Sequence, residues 1–207
     1  MIVSSSHPAA QLILASASPR RRELLDQLGV RYRVTPTDIP EQPRPDELPE
    51  DYVQRIAAEK SQAARLLTPD GLPVLAADTE VVMDGEIFGK PRDEIHATQM
   101  LHRLSGREHW VMSAVSLRAE DQHWFALSVS HVRFRSLTSD DMAAYWATGE
   151  PEDKAGAYAI QGLGALFVAR LSGSYSGVMG LPLMETAELL TRVGLHPLRQ
   201  GMEHISL

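Results

Sequence analysis

Two acidic residues, Asp78 and Glu80, stand at the end of an apolar run, VLAA, where a buried strand is predicted. A carboxylate at the end of a buried strand suits a metal ion and its water in a phosphate-handling enzyme. The structural alternative is an aspartate that caps a turn. Asp78 is therefore a candidate catalytic residue, with its role open between proton acceptor and metal ligand.

Three consecutive arginines, Arg20, Arg21 and Arg22, fill the first turn of a predicted helix, after Ser18 at the N-cap and Pro19 at the first helical position. Cations are unfavourable there, because the free N–H groups already carry about half a positive charge. Those groups and the arginine forks would together bind an anion such as phosphate. Exposure of all three side chains to solvent is the competing interpretation. The segment is not a P-loop, since it lacks the glycines and the Gly-Lys-Ser/Thr ending.

Lysine is rare in this chain, because 17 of its 20 basic residues are arginine. Lys60 lies on or near the apolar stripe of a predicted helix, where snorkelling to solvent competes with a place in a phosphate pocket. Lys90 follows a predicted hairpin whose Asp-Gly turn would place it opposite Thr79 and within reach of Asp78.

A glycine-rich stretch around Gln161 offers a candidate base-binding group. Short strands are predicted over 157–161, which ends at Gln161, and over 165–171. Glycine permits close approach of the backbone to a ligand, and an amide presents donors and an acceptor in one plane, as a nucleobase edge requires. A glycine-rich hairpin without a ligand explains the pattern equally well.

Strand-like and helix-like segments alternate along the chain, with antiparallel hairpins inserted, which predicts an α/β protein with a mixed sheet. The main predicted strands cover 11–16, 32–35, 73–79, 109–118 and 123–135, and a hairpin covers 80–90. The predicted helices cover 19–28, 50–67, 93–104, 139–147 and 183–193. The second of these helices has an apolar stripe formed by Val53, Ile56, Ala63 and Leu67.

The length of 207 residues suits one domain, expected over 11–195 between a flexible tail over 1–10 and a C-terminal tail over 196–207. A net charge of -7 argues against a general binder of nucleic acid or anionic membranes. There is no cysteine, no long apolar run and no signal-peptide pattern, so a cytoplasmic protein is expected.

Together these motifs resemble the Maf family of nucleoside triphosphate pyrophosphatases, also called septum formation inhibitor-like proteins. The matching segments run in family order from about residue 11 to 193. They are LILASASPRRRELL, EQPRP, RIAAEKSQAA, VLAADTEVVMDGEIFGKPRD, ATQMLHRLSG, DKAGAYAIQGLGALFV and GSYSGVMGLPLMET. The resemblance implies an elongated, two-lobed α/β molecule with a twisted mixed sheet and a central cleft, similar to inosine triphosphate pyrophosphatases.

The resemblance also implies an activity and a set of site residues. A nucleoside triphosphate would be hydrolysed to the monophosphate and pyrophosphate with a divalent cation, Mg²⁺ or Mn²⁺, by a homodimer. Asp78 would be the proton acceptor, and Asp78 and Glu41 would be the candidate metal ligands. The residues that would line the triphosphate and metal region are Ser16, Arg20, Arg21, Glu41, Lys60 and Lys90.

Three positions divide the family by substrate, and here they are Arg20, Thr79 and Gln161. This combination resembles the branch that acts on dTTP and UTP, with modified pyrimidine triphosphates as further candidates. A neutral glutamine can pair with the O4 and N3–H edge of thymine or uracil, whereas the acid of the 7-methyl-GTP branch suits a cationic base.

One residue departs from the family pattern, because Glu80 stands where the family usually has an apolar side chain. It would either tune metal affinity or face solvent. Two other functions stay open: a pyrophosphatase for 7-methyl-GTP or other non-canonical purine triphosphates, and a nucleotide-binding regulator of cell division without hydrolysis. A house-cleaning role in removing non-canonical nucleotides rests on the resemblance alone.

Overall fold

The computed structural model describes residues 9–200, in which seven strands form one sheet in the order β2-β1-β3-β5-β6-β7, with β4 paired to β3. The strands are β1 (Leu12–Leu14), β2 (Tyr32–Val34), β3 (Val74–Met83), β4 (Glu86–Phe88), β5 (Glu108–Ala119), β6 (Gln122–Phe134) and β7 (Val168–Ser172). The helices are α1 (Pro19–Gln27), α2 (Pro49–Leu67), α3 (Glu94–Leu104), α4 (Ser139–Trp146), α5 (Tyr175–Met179), α6 (Leu183–Thr191) and α7 (Pro197–Gln200).

The sheet is mixed, as predicted. β1 runs parallel to β2 and β3, whereas β3, β5, β6 and β7 are antiparallel to their neighbours. The five predicted helices are confirmed to within two residues at each end. Within 9–200, no helix combines the length and the apolar composition needed to cross a membrane. Helix α7 lies inside the predicted C-terminal tail, and 1–8 and 201–207 lie outside the described residues.

One face of β3 divides the core into two lobes. Leu75 and Ala77 belong to an apolar cluster with α1 and α6, whereas Val81 and Met83 belong to a second cluster with α3 and α4. Thr79, on the same face by strand alternation, lies between the two clusters. The lobes therefore meet at the middle of β3.

The other face of the sheet is covered by α2. Val53 and Ala57 pack against Val82, and Ala64 packs in a cluster with Val74. The predicted position of Leu67 on this apolar stripe is wrong. Both leucines of the last helical turn are mostly exposed, because α2 contacts the sheet only through its earlier turns.

The predicted strand over 157–161 is also wrong. The chain there forms a 3₁₀ helix, Ala155–Ala157, followed by turns. Gly156 and Ala157 have φ angles of 67° and 58°, which an extended strand excludes. A second 3₁₀ helix, Leu163–Phe167, occupies the start of the other predicted strand, so β7 begins only at Val168.

Candidate active site

The edge of β3 that faces β1 and β4 is open in its middle. β1 pairs with β3 at Val74 and Leu75, and β4 pairs with it only from Val81 onward. The predicted pairing of Thr79 with Lys90 is wrong, because β4 ends at Phe88. Between these two short strands, β5 is the one strand of the described residues that pairs with β3, so side chains from both faces of the sheet reach the same gap.

A cleft of about 730 Å³ lies at this open edge, within the size range of small-molecule sites. All the predicted site residues line it: Ser16, Arg20, Arg21, Glu41, Lys60, Asp78, Thr79, Lys90 and Gln161. The structure thus brings together segments that are up to about 145 positions apart in the chain. Their roles in chemistry stay predictions.

Lys60 is buried and ion-paired on the α2 side of the cleft. Its Nζ lies 2.7 Å from Asp78 Oδ1 and 2.9 Å from Glu41 Oε1. Snorkelling is therefore the wrong interpretation of this lysine, since its ammonium group points to carboxylates instead of bulk solvent. Burial alone would raise the pKa of Glu41, but the hydrogen bond from Lys60 and the charges of Lys90 and Arg21 hold it below its ordinary value.

Glu80 lies on the same face of β3 as Asp78 and is only 8% exposed, so it does not face solvent. Burial, reinforced by the charge of Asp78, raises the pKa of Glu80 to about 8. Asp78 Oδ2 and Glu80 Oε2 are both buried without a hydrogen-bond partner among the described residues. These two oxygens at the open edge therefore have no partner among the residues that the structure describes.

Arg21 lies on the opposite face and is held by α1. Its Nε donates to the Gly180 carbonyl at 2.8 Å, and its two Nη atoms donate to Ser16 Oγ and Thr79 Oγ1, each at 3.4 Å. Burial lowers the pKa of Arg21. Exposure to solvent, the competing interpretation, is correct only for Arg22.

Arg20 contributes a second cation from the same helical turn. Its side chain is 24% exposed, and Nη1 lies 3.9 Å from Asp153 Oδ2. The same aspartate pairs with Lys154, which also lines the cleft. Burial and repulsion from Arg20 lower the pKa of Lys154. Asp153 and the Gly180 carbonyl were not expected from residue types, because only the fold brings them to α1.

Gln161 is exposed on a loop that Glu150 holds in place. Glu150 Oε2 accepts from the Leu163 N–H at 2.9 Å, and Oε1 accepts from the Gly164 N–H at 3.0 Å and from the Tyr145 hydroxyl at 2.6 Å. The Tyr145 hydroxyl in turn accepts from the Ala159 N–H at 3.0 Å. The loop around Gln161 is thereby fixed on both sides.

Glycine is required in this loop for close packing. A Cβ atom at Gly162 would lie 2.3 Å from Glu150 Oε2, and one at Gly164 would lie 2.6 Å from the Ala159 carbonyl. The glycine-rich pattern seen in the sequence therefore admits the carboxylate of Glu150 to the backbone.

The carboxylate oxygens at the open edge fit a divalent cation that would also be bound by phosphate. Among the described residues, no three His, Asp or Glu side chains are close enough together to hold an ion by themselves. Mg²⁺ commonly takes only one or two protein carboxylates and fills its shell with water and substrate phosphate oxygens. The two unpartnered oxygens, Asp78 Oδ2 and Glu80 Oε2, match that arrangement.

Two solved structures resemble the chain at low sequence identity. A protein from Vibrio cholerae is 10% identical and has a TM-score of 0.46, with 92% of this chain and 100% of that chain covered. A dITP/XTP pyrophosphatase from Mycobacterium abscessus is 16% identical and has a TM-score of 0.41, with 95% and 98% covered.

Relatives of known name are much closer in sequence, and three of them are called dTTP/UTP pyrophosphatase. The protein from Methylococcus capsulatus is 62% identical, covering 89% of this chain and 92% of its own length. Those from Shigella dysenteriae and Nitrosomonas europaea are 56% and 52% identical, covering 87% and 91% of this chain and 91% and 97% of their own lengths. Residues 11–193 match the family described as Maf-like protein. The chain, with its cleft at the open edge of β3, therefore belongs to the Maf family.

Proposed function

We propose that this protein hydrolyses dTTP and UTP to the nucleoside monophosphate and pyrophosphate, with water attacking the α-phosphorus. The observation that carries the proposal is the cleft itself, where the carboxylate of Asp78 pairs with Lys60 and shares the cleft with the cations Arg21 and Lys90. The names of the 52–62% identical relatives agree with this reaction.

The cationic side chains would bind the triphosphate and neutralise the charge that develops on the leaving pyrophosphate. Arg21 enters from one face of the sheet and Lys60 from the other, so a chain of phosphates at the open edge of β3 meets positive charge on both sides. Asp78 Oδ2, without a partner among the described residues, is the atom through which Asp78 would act, either by accepting a proton from the attacking water or by holding a cation.

A divalent cation, Mg²⁺ or Mn²⁺, is part of the proposal. Asp78 would hold it, with Glu41 as a second candidate, which is 39% exposed and paired with Lys60. When bound, such an ion adds positive charge at the phosphate oxygens and acidifies the attacking water.

Selection of the base is assigned to Arg20, Thr79 and Gln161. Gln161 is exposed and lines the cleft, where its amide could reach the O4 and N3–H edge of a pyrimidine. Thr79 accepts from Arg21 and shares a 2.8 Å hydrogen bond with Ser113, which orients it between the lobes.

The test is pyrophosphate release from dTTP, UTP, CTP, 7-methyl-GTP, ITP and ATP with Mg²⁺ or Mn²⁺. We expect hydrolysis of dTTP and UTP only, reduced at least about 100-fold in Asp78→Asn, because general-base catalysis contributes about 10²–10⁴-fold. Asp121→Asn, in the exposed turn between β5 and β6, should behave like the wild type.

Other results would select the other functions. Preference for 7-methyl-GTP or ITP would keep the pyrophosphatase activity and overturn the assignment of Arg20, Thr79 and Gln161. Tight nucleotide binding without turnover would favour a regulator that does not hydrolyse its ligand.

The homodimer and the cytoplasmic location stay predictions. Trp110, Phe125 and Val129 are apolar side chains on β5 and β6 that are 39–46% exposed. Exposed apolar side chains of this kind would suit a contact surface for a second subunit on that side of the sheet. Light scattering of the purified protein would give its oligomeric state.

A further inference from the structure

We propose that Glu80 is a second protein ligand of the divalent cation, which it shares with Asp78. The inference rests on the proposed function, because that function supplies the need for a cation. It concerns a residue of this chain that stands where an apolar side chain is usual in the family.

Strand geometry places the two carboxylates side by side. Asp78 and Glu80 are two residues apart on β3, so both side chains project from the same face of the sheet. Both line the cleft at the gap between β1 and β4, where β3 is paired only with β5. A cation at that gap can therefore reach both carboxylates without a change in the strand.

No hydrogen bond or ion pair joins the Glu80 carboxylate to another of the described residues. Lys60 gives its ammonium group to Asp78 and Glu41. Glu80 Oε2 is buried without a hydrogen-bond partner among the described residues, and the whole residue is only 8% exposed. Burial of an unpartnered carboxylate oxygen is costly, and a bound cation would satisfy it.

The number of ligands points to a cation that arrives with phosphate. Two protein carboxylates are too few to enclose an ion, but they suffice for Mg²⁺ or Mn²⁺ when phosphate oxygens and water complete the shell. Oδ2 of Asp78 and Oε2 of Glu80 would be the two ligand atoms, which leaves Asp78 Oδ1 on Lys60. Binding of the cation should then be much tighter in the presence of a triphosphate.

The test measures binding of Mn²⁺ by electron paramagnetic resonance, alone and with the non-hydrolysable analogue α,β-imido-dUTP. We expect the dissociation constant of Mn²⁺ to rise at least about tenfold in Glu80→Gln, since loss of even an outer-shell partner of a metal costs about 10–100-fold. Glu80→Val is the second variant, because valine suits a buried strand. The matched control is Glu185→Gln on α6, whose Oε2 is also buried without a partner within residues 9–200 but lies outside the cleft.

Unchanged Mn²⁺ affinity in folded Glu80→Gln and Glu80→Val would overturn the proposal, as would a wild type that binds no Mn²⁺ with the analogue present. Failure of the proposed function looks different. In that case the wild type would bind Mn²⁺ through Glu80, as the weaker binding of both variants would show, and would still release no pyrophosphate from dTTP or UTP.

Discussion

At the scale of single residues, Arg21 shows why a sequence places cations at a helix N-terminus. The free N–H groups of α1 repel it, and burial lowers its pKa. Three hydrogen bonds, to Gly180, Thr79 and Ser16, nevertheless hold its guanidinium at the cleft. A bound polyanion would remove this repulsion, so the arrangement favours substrate over the empty site.

Arg21→Ala should lower kcat/KM for dTTP at least about 100-fold, because a preorganised cation is lost from the leaving-group side. Stability should change by no more than about 1 kcal/mol, since the lost hydrogen bonds and the relieved burial of charge oppose each other. Arg22→Ala, one residue along and exposed, is the matched control and should leave both quantities unchanged. Steady-state kinetics and urea unfolding measure them. A variant that unfolds easily but turns over normally would make Arg21 a structural residue.

Residue types and spacing, together with the family resemblance, pointed to the residues that line the cleft but were insufficient to orient them. Lys60 and Glu80 illustrate the limit. The helical period put Lys60 beside apolar residues, yet its partner Asp78 comes from another element. Strand alternation put Glu80 on the face of Asp78, yet whether solvent or α2 covers that face depends on tertiary packing. Pairing across elements is information that no local pattern contains.

At the scale of elements, long periodic segments were predictable, whereas the number of residues over which two strands pair was not. The helices and the hairpin at Asp84 and Gly85, whose φ angles are 55° and 77°, follow from local preference. Strand β4 ends early, at Phe88, and this early end opens the cleft. Where the strand ends depends on the contacts of the residues that follow Phe88. The Gly156 N–H donates to the Gly89 carbonyl at 3.1 Å, which takes the chain away from a ladder with β3.

The loop of Gln161 gives a prediction at this scale. Glu150→Gln replaces an acceptor of two backbone N–H groups by an amide with one oxygen, so the loop loses at least one of its anchors. We expect KM for dTTP to rise more than kcat falls, and the preference for dTTP over CTP to fall about tenfold.

Glu152→Gln is the matched control for this loop, because Glu152 is a nearby exposed carboxylate. Kinetics on dTTP and CTP, with thermal unfolding of each variant, separate positioning from stability. If Glu150→Gln melts earlier but keeps the same preference between the two bases, Glu150 only stabilises the fold.

At the scale of the whole molecule, one strand joins the two lobes and the site. Thr79 separates the two apolar clusters on one face of β3, and Asp78 and Glu80 meet α2 on the other. Although the net charge of the chain is -7, five of its 20 basic side chains line this gap: Arg20, Arg21, Lys60, Lys90 and Lys154. The net charge of the chain therefore does not predict an anionic ligand, whereas the basic side chains that line the cleft do.

The stability of the whole molecule should depend on pH through His109. This residue is 1% exposed in the lobe of α3 and α4; its Nε2 lies 2.9 Å from the Tyr158 hydroxyl, and its Nδ1 has no partner among the described residues. Burial lowers its pKa from 6.5 to about 3.

Below pH 6.5 the unfolded chain takes up the proton first, so this histidine lowers the free energy of unfolding by about 1.4 kcal/mol per pH unit down to pH 3. Urea unfolding between pH 7 and 4 should therefore show a shallower pH dependence in His109→Gln than in the wild type, by about that amount. His102→Gln, at an exposed position on α3, should leave the dependence unchanged. Equal slopes in the wild type and His109→Gln would mean that His109 is already protonated in the folded lobe or reaches solvent there.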